Sequence, residues 1–563
     1  MNVSFLFQYS WSFWIVICTY CVLLAGVSVY FARYIKNTND FFLASGHTPW
    51  LVSGLSFIMT AFSAGIFVAN ASLAYNHGGV NLMLIFTQLS IFICGYFIFA
   101  RRWHRCKVKT AIEFIEKRYS RTTAKFFVWT GIPMRILDNA NRLYVTGVII
   151  EAVFGVGLWA AIAFTGVVTL VYTIFGGYMA IVVTDALQAV GLGIIVLLMS
   201  IIAFIKVGGV EGFLERLPDG YWSLNPAESD WGMLFVVAWL FVGVFAWNGN
   251  WSLVQRYVSV EKEVDAKKVS IIGGLSYLLL FTLLALPPMF AAALIPGLEG
   301  TQEAEQSYIR IAQLLLPAGL LGFMFFAIFG ATVTALNSEL NVMSQVVVED
   351  MFKKFLVGRS DKFRLLTSRL VIVLFMCFCA LISLGIRAFF GGSLAYLLTI
   401  LGLTTLPTFI PMLMGLIYRK TPAWGCILSF SIGLGVSIIL TFIFDVYVPY
   451  VIFTNGILTT ATMLITGEVW PVSGDKRQIV DGLFSRLTRP GSGDPPASHP
   501  TSVQGIMLPL ISVSLIVMGV VILATSLIPD EQEHAGMIGV VTAAVFFVVG
   551  AGLFVVRKKL GSK

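Results

Sequence analysis

The chain has 563 residues, 58% hydrophobic and only 12% charged, with a net charge of +8. A soluble domain is about a quarter charged, so this composition excludes a protein whose main solvent is water. Seven cysteines, an odd number lying mostly in apolar runs, argue against a disulfide framework. Five histidines without a second ligand at metal spacing argue against a metal enzyme.

In chain order, the first apolar run is "WSFWIVICTYCVLLAGVSVYFA" at 11–32. It has no basic stretch before it and is followed by Arg33 and Lys36, which predicts an uncleaved helix with its N-terminus outside. Runs of similar length recur to "GMIGVVTAAVFFVVGAGLFVV" at 536–556, each able to cross a hydrocarbon layer of ~30 Å as a helix. Alternating strands are absent, so the fold class is an all-α integral membrane bundle of about 15 transmembrane helices.

The alternation of loops puts almost all of the 37 Lys and Arg on the cytoplasmic side, including the basic C-terminal tail. The exceptions are Lys206, Arg216, Arg310 and Arg387 outside, and Arg135 and Arg142 within a span. This asymmetry is the positive-inside pattern. It places the protein in the cell (inner) membrane and accounts for the net charge without nucleic acid. The expected partners are the lipid bilayer and a small-molecule substrate, with a monomer or weak homo-oligomer as the assembly.

The spans divide into a first helix and cytoplasmic loop (1–50) and two groups of five (51–231 and 232–420). Two peripheral helices (421–467), a polar cytoplasmic loop (468–505) and two final helices with the tail (506–563) follow. An odd number of spans inverts the second group relative to the first, the arrangement of transporters with inverted repeats. Such proteins bind ligands where the first helix of each repeat is broken. The matching segments are "FIMTAFSAGIFVANASLAY" (57–75), rich in small and hydroxyl residues around Ser63, Ala64 and Gly65, and "AWNGNWSLVQRY" (246–257), with Gly249 between two asparagines. Small residues at these places also serve close helix packing.

The stretch "PMRILDNANRLY" (133–144) carries a polar stripe. At about 100° per residue, Arg135, Asp138, Asn139 and Arg142 share one helix face about 100° wide. Asp138 suits Arg142 at i, i+4 or Arg135 at i, i+3. One acid does not neutralise two arginines. Either Arg135 reaches the cytoplasmic surface and the rest locks helices together, or the surplus charge meets an acidic substrate, Glu339 or Asp185.

Three ordered segments resemble the sodium:solute symporter family, which includes sodium/glucose cotransporters: "IFGGYMAIVVTDALQAV" (174–190), "VQRYVSVEKEVDAKK" (254–268) and "GATVTALNSELNVMSQVVVEDMF" (330–352). The likeness runs from about residue 39 to 420. It implies a LeuT-like core with extra helices at both ends, and a sodium site made of the carbonyls of Met59, Phe62 and Ala331 and the hydroxyl of Thr334. Where the family often has a second hydroxyl, this chain has Ala335, so one ligand is missing, with water or Glu339 as substitutes.

The resemblance also implies a second sodium site at Asp185 and Ser338, with Thr184 or Asn337 nearby. Asp185 is alternatively a helix cap. The polar set of sugar-binding members is not kept, since Ile66, Gly243, Ala246 and Tyr277 stand there. Candidate substrate residues are Ser63, Arg135, Asn139, Arg142, Trp247 and Tyr277, the two aromatics being candidates also for plain packing; Trp251 is a further aromatic of this kind. Asp138 and Glu339 are candidate counter-ions. The expected function is sodium-coupled import of a small organic solute by alternating access, without covalent chemistry or a cofactor beyond the coupling ion. An acidic sugar or other carboxylate is the first substrate reading, a neutral sugar or polyol the second. A sensor lacks an output domain, and a channel lacks an evident selectivity ring.

Overall fold

The computed structural model describes residues 10–35, 38–43, 48–62, 65–226, 231–298, 304–356, 358–390, 393–489, 504–528 and 534–561. Among them every regular element is a helix. Among the described residues eleven helices are long and apolar enough to cross a membrane, and one bent pair passes the same test together.

Seven helices carry the functional site. In chain order they are α1 (Trp50–Ala61), α2 (Arg121–Phe154), α3 (Leu158–Val207), α4 (Met233–Gly249), α5 (Trp251–Val258), α6 (Ala318–Val346) and α7 (Ser393–Met414). α1 stops at Ala61, and Phe62 leaves it with extended backbone (φ −78°, ψ 137°). The chain resumes through a π turn at Ile66–Asn70 and a short helix at Ala71–Asn76. Ser63 and Ala64, expected at the centre of this break, lie outside the described residues.

The second break falls at Asn250, not at Gly249. Asn250 has φ −58° and ψ 131°, and its side chain accepts from the Ser252 amide, capping α5. α4 and α5 meet there at 51°. Gly249 is needed for a close approach instead, since a Cβ would stand 2.8 Å from Phe409 on α7.

α3 holds another break. Gly177 adopts φ +56°, a left-handed conformation suited to glycine, and a Cβ there would lie 2.9 Å from Ile35. α2 is anchored at its start by Ser120, whose side chain accepts from the Thr123 amide. α6 runs through the centre of the bundle, with 94% of its most apolar window buried. Its Asn337, Ser338, Glu339 and Asn341 side chains take partners on other helices, whereas Thr334 bonds back to the Ala331 carbonyl of α6 itself.

The stretch 468–505, expected to be a polar loop, contains the helix Gly474–Thr488. Its apolar residues Val480, Leu483 and Leu487 recur at i, i+3 and i+7, and all three are buried. This is the amphipathic period of a helix lying on a surface. Its end is fastened by Arg105, which donates to the Leu487 carbonyl at 2.6 Å while also pairing with Glu263.

Candidate functional site

Arg135 does not reach the surface. It is 7% exposed and donates through Nη1 to Glu339 Oε2 at 2.6 Å. Its guanidinium carbon lies 4.2 Å from the Trp251 ring centroid, a cation–π contact at the second helix break. Ser252 donates to the other Glu339 oxygen, and its amide and hydroxyl both donate to Asn250 Oδ1. The break between α4 and α5 thus organises the counter-ion of Arg135.

Arg142 takes the partner that helix periodicity allows, Asp138, at 3.0 Å. Its Nη1 donates to the Thr60 carbonyl at 3.3 Å. That carbonyl is in the last turn of α1, where a cation is favoured by the helix dipole and by orphan acceptors. Asn139 turns away from this work. Its amide donates to the Arg135 carbonyl and contacts Met343, and it borders neither of the two cavities described next.

One cavity, of about 170 Å³, is bordered by Arg135, Arg142, Thr60, Asn250, Ser252 and the threonines of α7. The second, of about 240 Å³, is lined more by aromatic residues, including Trp231, Trp239, Tyr277 and Phe281, with Gln88 and Asn141 as polar groups. Asp138, Arg142, Ala246, Trp247 and Leu401 border both cavities. The Asp138–Arg142 pair and the Trp247 ring therefore stand at the junction of two chambers. Trp247 meets Tyr277 edge to face at 4.4 Å, so the two aromatic candidates form one wall.

Asp185 is fully buried on α3. Its Oδ2 accepts from Ser56 at 2.5 Å and from Arg256 at 3.2 Å, and the Thr334 hydroxyl lies beside the same carboxyl. The Arg256 guanidinium also donates to Ser338 at 2.8 Å, to Ser56 and to the Ser252 carbonyl. Arg256 itself is 0% exposed. The loop assignment from sequence put it on the cytoplasmic side, and the structure corrects this, because α5 carries it back into the bundle. The sequence signal was an arginine with Leu253, Val254 and Tyr257 around it, an apolar setting that a solvated loop residue does not need.

Thr334 donates to the Ala331 carbonyl at 3.0 Å, so these two expected sodium ligands lie together on α6. Met59 and Phe62 flank the end of α1. Ala335 is buried and contributes no side-chain oxygen. Ser338 accepts from Arg256 and also from Thr60. Thr184 and Asn337 are engaged by Tyr172 and Thr173 respectively.

Within the bundle three arginines face three carboxylates: Arg135 with Glu339, Arg142 with Asp138, Arg256 with Asp185. The surplus positive charge expected from α2 alone is met within the chain. Of the Arg135 guanidinium nitrogens, only Nη1 makes a hydrogen bond among the described residues, so donors remain on a residue that borders the first cavity.

Residues 41–433 match the sodium:solute symporter family. The chain is 25% identical over 467 residues to the sodium/glucose cotransporter of Vibrio parahaemolyticus, covering 76% of this chain and 84% of that protein. It is 24% identical over 449 residues to sodium-coupled monocarboxylate transporter 1 of Xenopus laevis, covering 75% and 70%. It is 23% identical over 361 residues to a sodium/sialic acid symporter of Aliivibrio fischeri, covering 61% and 70%. Among solved structures, a substrate-bound, outward-open Na+-coupled sialic acid symporter superposes with a TM-score of 0.71 at 18% identity, over 82% of this chain and 99% of that one. This likeness shows the fold, a LeuT-like helical bundle.

Proposed function

Because this chain belongs to the sodium:solute symporter family, we propose that it imports a small acidic organic solute together with sodium by alternating access. It is a transporter and not an enzyme, and sodium-coupled symport is the activity that its relatives share. The observation that carries the acidic substrate is the placement of Arg135 and Arg142 on one cavity beside the broken end of α1. A guanidinium matches a carboxylate with two parallel donors.

Charge balance supports the same reading. These arginines and carboxylates cancel pair by pair, two of the pairs buried and Arg142–Asp138 partly so, and a sodium ion entering alone leaves one uncompensated charge in the bundle. A singly negative solute removes it. A second reading, a neutral sugar or polyol, rests on Asn250, Ser252 and the α7 threonines, which border the first cavity and can hold a solute without a charge contact.

The proposed sodium ligands are the Met59, Phe62 and Ala331 carbonyls and the Thr334 hydroxyl. A broken helix offers carbonyl oxygens to a hard cation at little desolvation cost. We count about fifteen crossings. The break at Gly177 divides α3 in two, the interrupted segment from Trp50 to Asn76 adds one, and α2 adds another that its interior charges hide from a hydropathy test. Two inverted groups of five within them form the core, with the N-terminus outside and the C-terminus in the cytoplasm.

Uptake by purified protein in lipid vesicles tests this. With sodium higher outside, N-acetylneuraminate or lactate should accumulate, and glucose or myo-inositol should not compete. Accumulation that persists when sodium is equal on both sides sinks the coupling. Uptake of the neutral probes alone selects the second reading.

A further inference from the structure

We infer that the transported acid has an apolar body, aromatic or branched, which occupies the second cavity while its single carboxylate stays in the first, between Arg135 and Arg142. The inference rests on the acidic reading above and narrows it to aryl- and alkyl-carboxylates, away from hydroxylated sugar acids.

The two cavities differ in chemistry. The first, about 170 Å³, holds both arginines together with Asn250, Ser252 and the α7 threonines. The second, about 240 Å³, is bordered by rings from two helices. On α4, Phe235, Trp239, Val242 and Ala246 recur every three or four positions and so share one face. Trp231 meets Phe235 edge to face at 4.8 Å, and Phe235 stacks on Trp239 at 5.7 Å. The helix Glu263–Leu294 adds Tyr277 and Phe281, stacked at 5.3 Å. An apolar cavity of roughly 150 Å³ accepts a benzene ring. The second cavity therefore has room for a ring with a short chain, and its walls offer edge-to-face and offset contacts.

Its polar groups do not suit a hydroxylated body. The Gln88 amide nitrogen donates to the Leu84 carbonyl and to Thr87 Oγ1 on its own helix, Gly78–Cys94. Those donors are spent before a solute arrives. A sugar body would set several hydroxyls against Asn70, Asn141 and the Gln88 oxygen, and each hydroxyl left unpaired costs affinity.

The boundary fixes how acid and body connect. Asp138, Arg142 and Trp247 border both cavities, so a solute with its carboxylate on the arginines and its body among the rings passes along Trp247. Asp138 stands at the same boundary, paired with Arg142 at 3.0 Å, and its like charge disfavours a second carboxylate on the solute.

Calorimetric titration of the purified full-length protein in saturating sodium tests this with lactate, N-acetylneuraminate, 3-phenylpropionate and the neutral 3-phenylpropan-1-ol. 3-Phenylpropionate should bind about 10- to 100-fold more tightly than lactate, the worth of burying an apolar ring. Trp239→Ala should cut that preference by about tenfold. The comparison of probes on the unaltered protein stands even if the variant fails to fold. Lactate or N-acetylneuraminate binding as tightly as 3-phenylpropionate overturns the inference and leaves the acidic reading standing, as does a preference that a folded Trp239→Ala protein keeps in full. Equal binding of the alcohol and the acid, or binding of no acid at all, overturns both.

Discussion

Arg135 and Glu339, 204 residues apart in the chain, meet at 2.6 Å inside the bundle with almost no exposure to solvent. The contact joins the helix that carries Arg135 and Arg142 to the helix that carries Ala331 and Thr334. It also gives the first prediction. Removing one partner leaves a buried charge uncompensated, so Arg135→Gln and Glu339→Gln should each destabilise the protein by about 3–5 kcal/mol. The double variant should regain most of that loss. Thermal unfolding in detergent reads all three, and additive losses in the double variant would show that the pair is not coupled.

Arg142 borders both cavities and, among the described residues, is held by Asp138 and the Thr60 carbonyl. Arg142→Gln should weaken binding of an acidic solute by about 10- to 100-fold, the range of a charge-assisted hydrogen bond. Neutral solutes should change far less. An equal loss for both would identify Arg142 as a structural partition between the chambers.

Gly177 combines positive φ with crowding by Ile35 and Phe41. Gly177→Ala should cost about 1–2 kcal/mol from the left-handed backbone alone, and more from the contact. Lower melting temperature and lower yield are the expected readouts. An unchanged melting temperature would mean that the helix pair can close without this break.

Glu305 lies outside the membrane-spanning helices, and partial burial pushes its carboxyl up to about 7. The folded protein therefore holds this proton to higher pH than the unfolded chain does. Stability from this group is fully present below the ordinary carboxylate range, about pH 4.5, and is lost as pH rises through about 7. Glu305→Gln should flatten the fall in melting temperature between about pH 5 and 8. A slope identical to that of the unaltered protein would exclude Glu305 as its source.

Much of this protein was legible before any tertiary contact was known. Hydropathy marked the membrane bundle, small residues marked the neighbourhood of both helix breaks, and helix periodicity placed Asp138 against Arg142. These are local properties, set by residues within a few turns of one another. The partners of the other charges were not legible. Arg135 had three candidate counter-ions, and Arg256 read as a cytoplasmic residue until α5 turned it toward Asp185, 71 positions away. Asn139 shares the face of Arg135 and Arg142, yet packs against α6, because a face about 100° wide borders more than one neighbour. The surface helix at Gly474–Thr488 was hidden for a related reason, since its three apolar residues acquire meaning only against the bundle they cover. Sequence alone determined which solvent this chain folds in and the neighbourhoods in which its long apolar helices run and break. The tertiary structure decided which charge meets which, because burial leaves an ion no partner except those that helix packing brings within reach.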